Sequence, residues 1–330
     1  MSPIRDATVS FVLARFGVPV YAANALGNHG GFSGARVWRV TAPNGDWCLK
    51  AWPPGFSMTD QLTVIHRLMR RGREAGLAFV PELRDAPPGE SSGVEAAGRC
   101  WDLTTWLPGR ADFHDRPTAA RMEAACTALA QLHRAWQPGR ANRAACPAVE
   151  RRLRAAAEWE ALVRSGWQPD FATAADAAVA GWAERSWVVL GYTARRVPDW
   201  LAGWWGVALP LQPCLCDVWH DHVLFSGDTV SGLVDYGSVK PDHVTVDLAR
   251  MLGSLAGDDA GLRAAGLDAY QRAAGLSAEE RALVDVLDRT GTVLSLANWL
   301  RWLFYERRQY DDWPRVARRL EGLVGRIESW

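Results

Sequence analysis

The chain has 330 residues, 48% of them apolar, with 37 basic and 37 acidic side chains and a formal charge of zero. That length supports one large or two modest hydrophobic cores, and the charge balance excludes a general attraction to nucleic acid or to an anionic membrane surface. The first thirty residues lack the basic start and continuous apolar run of a secretion signal, and the apolar stretch from Val293 to Phe304 is broken by Asn298 and Arg301, so a cytoplasmic chain without a membrane span is expected.

Up to about Cys100 the pattern is one of short strands and turns. LGNHGGFSGARVWRV (Leu26 to Val40) is a glycine-rich turn followed by an alternating strand, and DWCLKAWPP (Asp46 to Pro54) is a second strand carrying Lys50. This is the order of a phosphate-covering loop and its lysine, with Gly30, Gly31 and Ser33 in the loop. Glycine-rich hairpin turns are common, so the weight falls on Lys50. Of the 37 basic residues only Lys50 and Lys240 are lysines. Arginine serves wherever simple positive charge suffices, and a compact ammonium in mid-strand is suited to holding nucleotide phosphates. The plain alternative is a lysine at a strand edge.

A helix is predicted over Thr59 to Arg73, turning Gln61, Thr63 and His66 inward; the nearest acids, Asp60 and Glu74, leave the partner of Lys50 open. The proline-, glycine- and serine-rich DAPPGESSG (Asp85 to Gly93) is an exposed loop, and WDLTTWLPGR (Trp101 to Arg110) is a strand running into a linker. Beyond it the chain turns helical. Arg116 to Trp136 carries an apolar stripe through Met122, Cys126, Leu129 and Leu132. Further helices are predicted over Val149 to Ser165, Phe171 to Val197, Val244 to Leu255, Ala260 to Ala274, Ala278 to Tyr310 and Pro314 to Ser329. Gly291 is expected to divide the longest of these. Six cysteines scattered through a chain of this length point to reduced thiols, and Cys214 and Cys216 lack the paired spacing of a zinc ribbon.

The densest chemistry lies in LQPCLCDVWHDHVLFSGDTVSGLVDYGSVKPDHVTVDL (Leu211 to Leu248). HVLF and TVSGLVDYG are strand-like segments around an SGD turn, a hairpin that Asp217 enters and Asp235 leaves, eighteen residues apart. Pairing of the strands is expected to bring both acids to one end, where one orients a hydroxyl and the other holds a divalent cation and its phosphates.

LCDVWHDHVLF, the strand ending at Asp235 and the later VDLARML (Val246 to Leu252) together resemble the aminoglycoside phosphotransferase and choline kinase-like superfamily, with its pattern HGDLHPGNVLF, turn, strand ending DFG or DWG, and DLA segment. The resemblance implies an α+β, two-lobed protein kinase-like fold, with a small antiparallel-sheet N-lobe at residues 1–104 and a larger, mostly helical C-lobe at 105–330. It implies transfer of the γ-phosphate of ATP or GTP to a hydroxyl of a small molecule such as an amino sugar, sugar or amino alcohol. Asp217 falls on the catalytic aspartate, His222 on the metal-binding asparagine, Asp235 on the second metal-binding acid and Asp247 on the brace of the catalytic loop. Lys50 would hold the nucleotide phosphates, the backbone from Thr105 to Leu107 would meet the adenine, and Mg²⁺ or Mn²⁺ would accompany the nucleotide. Cationic acceptors need carboxylates, for which Glu306, Asp311 and Asp312 in the C-terminal helices are candidates.

Of the departures from the pattern, three remove a group with a physical job. Leu215 stands for its histidine, Cys216 for its glycine and His222 for its asparagine, and an imidazole nitrogen suits Mn²⁺ better than hard Mg²⁺. A catalytically impaired nucleotide-binding protein of the same fold is the alternative reading. Neither a nucleic acid nor a membrane partner is expected, and no feature of the chain fixes an oligomeric state.

Overall fold

The computed structural model describes residues 6–27, 34–56, 58–85, 93–139 and 142–330, the side chains of Met58 and Thr59 excepted. In chain order, helix α1 (Ala7–Arg15) precedes β1 (Ala22–Gly27), β2 (Arg36–Ala42) and β3 (Gly45–Ala51). A π-turn at Met58–Leu62 leads into α2 (Thr63–Glu74), followed by β4 (Val94–Ala96), β5 (Arg99–Thr105) and α3 (Ala119–Trp136). Then come β6 (Asn142–Ala145), α4 (Pro147–Arg164), α5 (Ala177–Thr193), α6 (Val197–Leu201) and β7 (Ala208–Cys214). The hairpin β8 (Val223–Ser226) and β9 (Thr229–Leu233), then β10 (Lys240–Asp242), lead to α7 (Thr245–Leu255), α8 (Ala260–Ala274), α9 (Ala278–Leu300) and α10 (Trp313–Glu328). This is the mixed α+β content of the kinase-like fold, with antiparallel strands first and helices after. Among the described residues no helix is long and apolar enough to cross a membrane.

The chain forms two compact units, Met1–Trp136 with Val218–Val239 and Gln137–Asp217 with Lys240–Trp330. Sequence reading had set the lobes at 104/105 with the whole hairpin in the second. The β8–β9 hairpin instead groups with the first unit because Phe225 and Arg110 exchange backbone hydrogen bonds and the Leu233 amide donates to Phe79.

The first unit is built on a five-stranded antiparallel sheet in the order β1-β2-β3-β5-β4. Alternation sends Trp38, Val40, Leu49, Ala51, Trp101 and Leu103 to one face, where Val9, Val12 and Leu13 of α1 cover them. Each fully buried side chain of this kind contributes about 1.5–3 kcal/mol. Asp6 caps α1 by accepting from the Thr8 and Val9 amides. Lys50 and Asp102 therefore lie on the opposite face, directly across from one another in the β3–β5 register.

The second unit pairs a small antiparallel sheet, β10-β7-β6, with the remaining helices. Asp242 is fully buried and joins β10 to α4 through the Ala148 amide and the Arg151 guanidinium. The longest helix, α9, starts with a capping box between Ser277 and Glu280 and runs unbroken past Gly291. Gly291 does not divide it, because a helix tolerates one glycine at a cost of about 1 kcal/mol and here the small residue makes room for the guanidinium of Arg152. The helix loosens later, into a π-turn at Arg301–Tyr305.

Candidate active site

Lys50 projects from β3 with its Nζ 2.9 Å from Asp235 Oδ1 and 4.0 Å from the centre of the Trp52 ring. Burial alone would lower its pKa, but the Asp235 and Asp102 carboxylates outweigh burial and raise it, so the ammonium is kept charged. Lys50 in turn holds the Asp235 carboxyl far below the usual range, against the opposing effect of its own burial. The acid that sequence reading sought for Lys50 on α2 is thus supplied from 185 residues away in the chain.

Asp235 lies beyond the end of β9, which stops at Leu233 instead of running to Gly237 as the sequence predicted. The chain turns out of the strand there: Asp235 has φ +61°, and its Oδ1 accepts from the Gly237 amide. Aspartate tolerates this left-handed conformation better than most residues. A Cβ on Gly237 would sit 3.1 Å from Asp235 Oδ1 and 3.2 Å from the Trp52 ring, so the turn needs a small residue.

Asp235 is the residue on which the resemblance places a hard oxygen ligand. Its other oxygen is 3.6 Å from Nε2 of His222, but that nitrogen accepts a 2.9 Å hydrogen bond from the Trp219 indole. A carboxylate that stays ionised fits Mg²⁺ or Mn²⁺ well. His222 can add a nitrogen ligand only once Trp219 releases the same lone pair, so in this arrangement it is held by Trp219 and not free to coordinate.

On the same sheet face lies a buried group that sequence reading did not assemble. Asp102 Oδ2 accepts from Trp52 Nε1 and pairs with His66 Nε2, both at 2.9 Å. His66 does face inward from α2, as expected, but to meet a carboxylate on β5. An acid inside the otherwise apolar run CWDL was the available signal, and only the cross-strand register gives it meaning.

In the second unit Asp217 follows a loop held through its backbone. Both oxygens of the fully buried Asp247 accept hydrogen bonds, from the Leu215 and Cys216 amides, each 2.6 Å long. Three residues along α7, on the same helical face, Arg250 donates through Nε and Nη2 to Asp217 Oδ1 at 3.2 and 3.1 Å. Cys216, at the position of the family's glycine, has φ +62°. Burial, helped by Asp247 and Asp242, pushes its thiol far above the ordinary cysteine range. All six cysteines are free.

The remaining expected residues fall as follows. Gly30, Gly31 and Ser33 lie outside the described residues. The Thr105 amide is committed to the Glu82 carbonyl and the Trp106 amide to that of Asp46, whereas among the described residues the Leu107 amide has no protein acceptor. Of the acceptor candidates, Asp312 caps α10 by accepting from the Arg315 amide, and Glu306 is paired with Arg301 at 3.0 Å and Arg308 at 2.7 Å. Asp311 is exposed beside the cap.

The family model of the phosphotransferase enzyme family matches residues 25–283. A homoserine kinase from Beijerinckia indica is 32% identical over 154 residues, 46% of this chain, which spans about two fifths (41%) of that relative's length. Among solved structures, a spectinomycin phosphotransferase in complex with ADP and spectinomycin superposes with a TM-score of 0.71 at 11% identity, covering 99% of both chains. A choline/ethanolamine kinase family protein from Mesorhizobium loti gives 0.60 at 18% identity over 98% of this chain and 94% of its own. The structural likenesses carry the fold, and the match over most of the chain carries the family: this chain belongs to the phosphotransferase enzyme family.

Proposed function

We propose that the chain transfers the γ-phosphate of ATP or GTP to a hydroxyl of a small molecule. The pairing of Lys50 with Asp235 carries this reading, because it joins a phosphate-binding cation on the sheet and a carboxylate on the turn after β9. Lys50 balances charge on the nucleotide phosphates once it exchanges Asp235 for them. Asp235 holds the divalent cation, Mg²⁺ or Mn²⁺, which when bound neutralises charge on the β and γ phosphates. Asp217 accepts the hydrogen bond of the acceptor hydroxyl and takes its proton as the oxygen attacks phosphorus, and Arg250 keeps that carboxylate aimed. The Leu107 amide is the adenine contact. Leu215 replaces a polar loop residue by packing, being buried beside the Asp247 clamp.

The local likeness to a homoserine kinase favours an acceptor bearing both an amine and a hydroxyl, such as an amino acid or amino alcohol, and Asp311 is the exposed carboxylate for its amine. We place the reaction in the cytoplasm, without nucleic acid or membrane partners. Engagement of His222 by Trp219 favours one rival, a protein that binds nucleotide without turnover.

The test is calorimetric titration of MgATP, MgGTP and their Mn²⁺ forms into the purified protein and into Lys50→Met. Phosphate-transfer assays across homoserine, ethanolamine, choline, sugars and spectinomycin follow. Nucleotide binding weakened at least ~10-fold in Lys50→Met, with transfer to one acceptor, supports the reading. Binding without transfer to any acceptor selects the rival, and no nucleotide binding removes both.

A further inference from the structure

Lys50 has two carboxylates near it, and only one leaves the sheet. Asp235 sits on the turn after β9 and is the residue that must let go of Lys50 when phosphate and cation arrive. Asp102 cannot leave. It is directly opposite Lys50 in the β3–β5 register, 4% exposed, and its Oδ2 is held by the indole of Trp52 and the imidazole of His66 at 2.9 Å each. Trp52 in turn lays its ring against the Lys50 ammonium, 4.0 Å from the ring centre, and is stacked on Phe56. The side of α2 from which an acid was expected offers His66, fully buried, with Nδ1 meeting no partner among the described residues. An imidazole with its proton on Nε2 satisfies this geometry, since a proton on Nδ1 would leave a buried donor unpaired and the carboxylate short of one.

Resting on the phosphotransferase reading of Lys50, we propose that Asp102 is its positioning acid. In this chain the negative charge that holds the phosphate-binding lysine comes from the neighbouring strand, with His66 on α2 supporting it. Asp102 acts in two ways. Its charge faces the ammonium across one strand spacing at low dielectric, where a fixed charge persists when Asp235 turns to the cation. The hydrogen bond it accepts from Trp52 fixes the ring on which the ammonium rests, and a cation over an indole face is attracted by the ring's quadrupole. A buried carboxylate with two donors is otherwise a costly feature in a sheet face, and its position opposite the one lysine of the sheet accounts for it.

The experiment compares three variants with the natural protein by MgATP calorimetry, thermal melting and steady-state transfer. Asp102→Asn keeps an oxygen for both donors and removes only the charge. It should fold and weaken MgATP binding ~10-fold or more, on the scale typical of residues that orient a ligand-holding group. Trp52→Phe keeps the charge and the ring face but removes one donor, and its loss should be smaller than that of Asp102→Asn. Asp102→Asn combined with His66→Glu returns a carboxylate to the same pocket from the helix side and should recover most of the lost affinity.

Asp102→Asn binding MgATP like the natural protein while Lys50→Met is impaired would overturn the proposal and leave the phosphotransferase reading standing. Equal losses in Asp102→Asn and Trp52→Phe, or a folded double variant without recovery, would overturn it too, by making Asp102 a hydrogen-bond hub only. Failure of Lys50→Met to affect MgATP would instead remove the reading on which the proposal rests.

Discussion

In the first unit Lys50 is held by other side chains, Asp235 at 2.9 Å and the ring of Trp52 at 4.0 Å, all brought together by strand register and a turn. In the second unit the loop before Asp217 is held through its backbone, with the Asp247 carboxylate accepting two amides at 2.6 Å and Arg250 donating to the side chain of Asp217. Side-chain ion pairs can exchange partners, so the Lys50 region suits the proposed release of Asp235 to a cation and uptake of phosphate. A carboxylate clamped on two amides has no such exchange, so the Asp217 loop is arranged to keep its shape. The contrast matches the proposed duties: nucleotide arrives and leaves at one, and geometry must persist at the other.

That contrast breaks if the two regions fail in the same way. Asp217→Asn should cost about 10²-fold or more in turnover with nucleotide affinity nearly intact, whereas Lys50→Met should show its loss in nucleotide affinity. Calorimetry and single-turnover transfer separate the two, and an Asp217→Asn protein with full turnover sinks the assignment of the base.

The next largest effect belongs to the clamp. Removing Asp247 as Asp247→Ala strips two charge-assisted hydrogen bonds from buried amides, each worth about 1.5–3 kcal/mol, so a loss of at least ~3 kcal/mol is expected in denaturant unfolding. A loss below ~1 kcal/mol would mean that the loop is held by packing around Leu215.

Cys216 sharpens the picture in the stabilising direction. Its φ of +62° costs a side-chain-bearing residue roughly 1–2 kcal/mol that glycine avoids. Cys216→Gly should therefore raise stability, by up to ~1 kcal/mol once the greater freedom of glycine in the unfolded chain is subtracted, with Asp217 chemistry unchanged. A lower melting temperature in Cys216→Gly would show that the half-buried thiol contributes more than the strain.

The smallest effect concerns the support under α7. His243, next to the start of that helix, is hydrogen-bonded to Thr245 and to Glu280 at 2.8 and 3.0 Å. The hydrogen bond from His243, with those from the Ser277 cap, pulls the Glu280 pKa down to about 2 from 4.5, against the effect of burial. A depressed carboxylate contributes its stability in full above its unfolded pKa and loses it as pH falls through the folded one, so this contribution fades between about pH 4.5 and 2. Glu280→Gln keeps the capping-box oxygen and should cost roughly 1 kcal/mol near neutral pH after solvent screening, with a shallower decline in that acid window. Parallel acid melting curves for the two proteins would exclude the linkage.

The sequence by itself determined the class of the fold and named the candidate site residues. A lysine used twice in 330 residues, two aspartates eighteen apart around a hairpin, and a DLA segment are local signals, because each depends on residue type and spacing along the chain. Strand and helix periodicity likewise placed α3, α7, α8 and α10 within a few residues. What the sequence left open were matters of register and turn geometry. Asp102 is an acid in an apolar strand until β3 and β5 pair and set it against Lys50. His222 carries a metal-ligand chemistry in sequence, and only folding shows Trp219 holding its nitrogen. Asp312 and Asp311 are neighbours in sequence, yet one is consumed as a helix cap and the other is left exposed. Gly291 has the composition of a helix break, and Arg152 packed against it shows why α9 continues. Lys50 and Asp102, like Gly291 and Arg152, lie far apart in the chain, where no local pattern specifies which side chain meets which, whereas the Trp219–His222 and Asp312–Arg315 contacts are short-range and depend on the local turn geometry. Tertiary structure decides because a buried charge or hydrogen-bonding atom is stable only with its partner, and that partner is chosen by the packing of the whole unit.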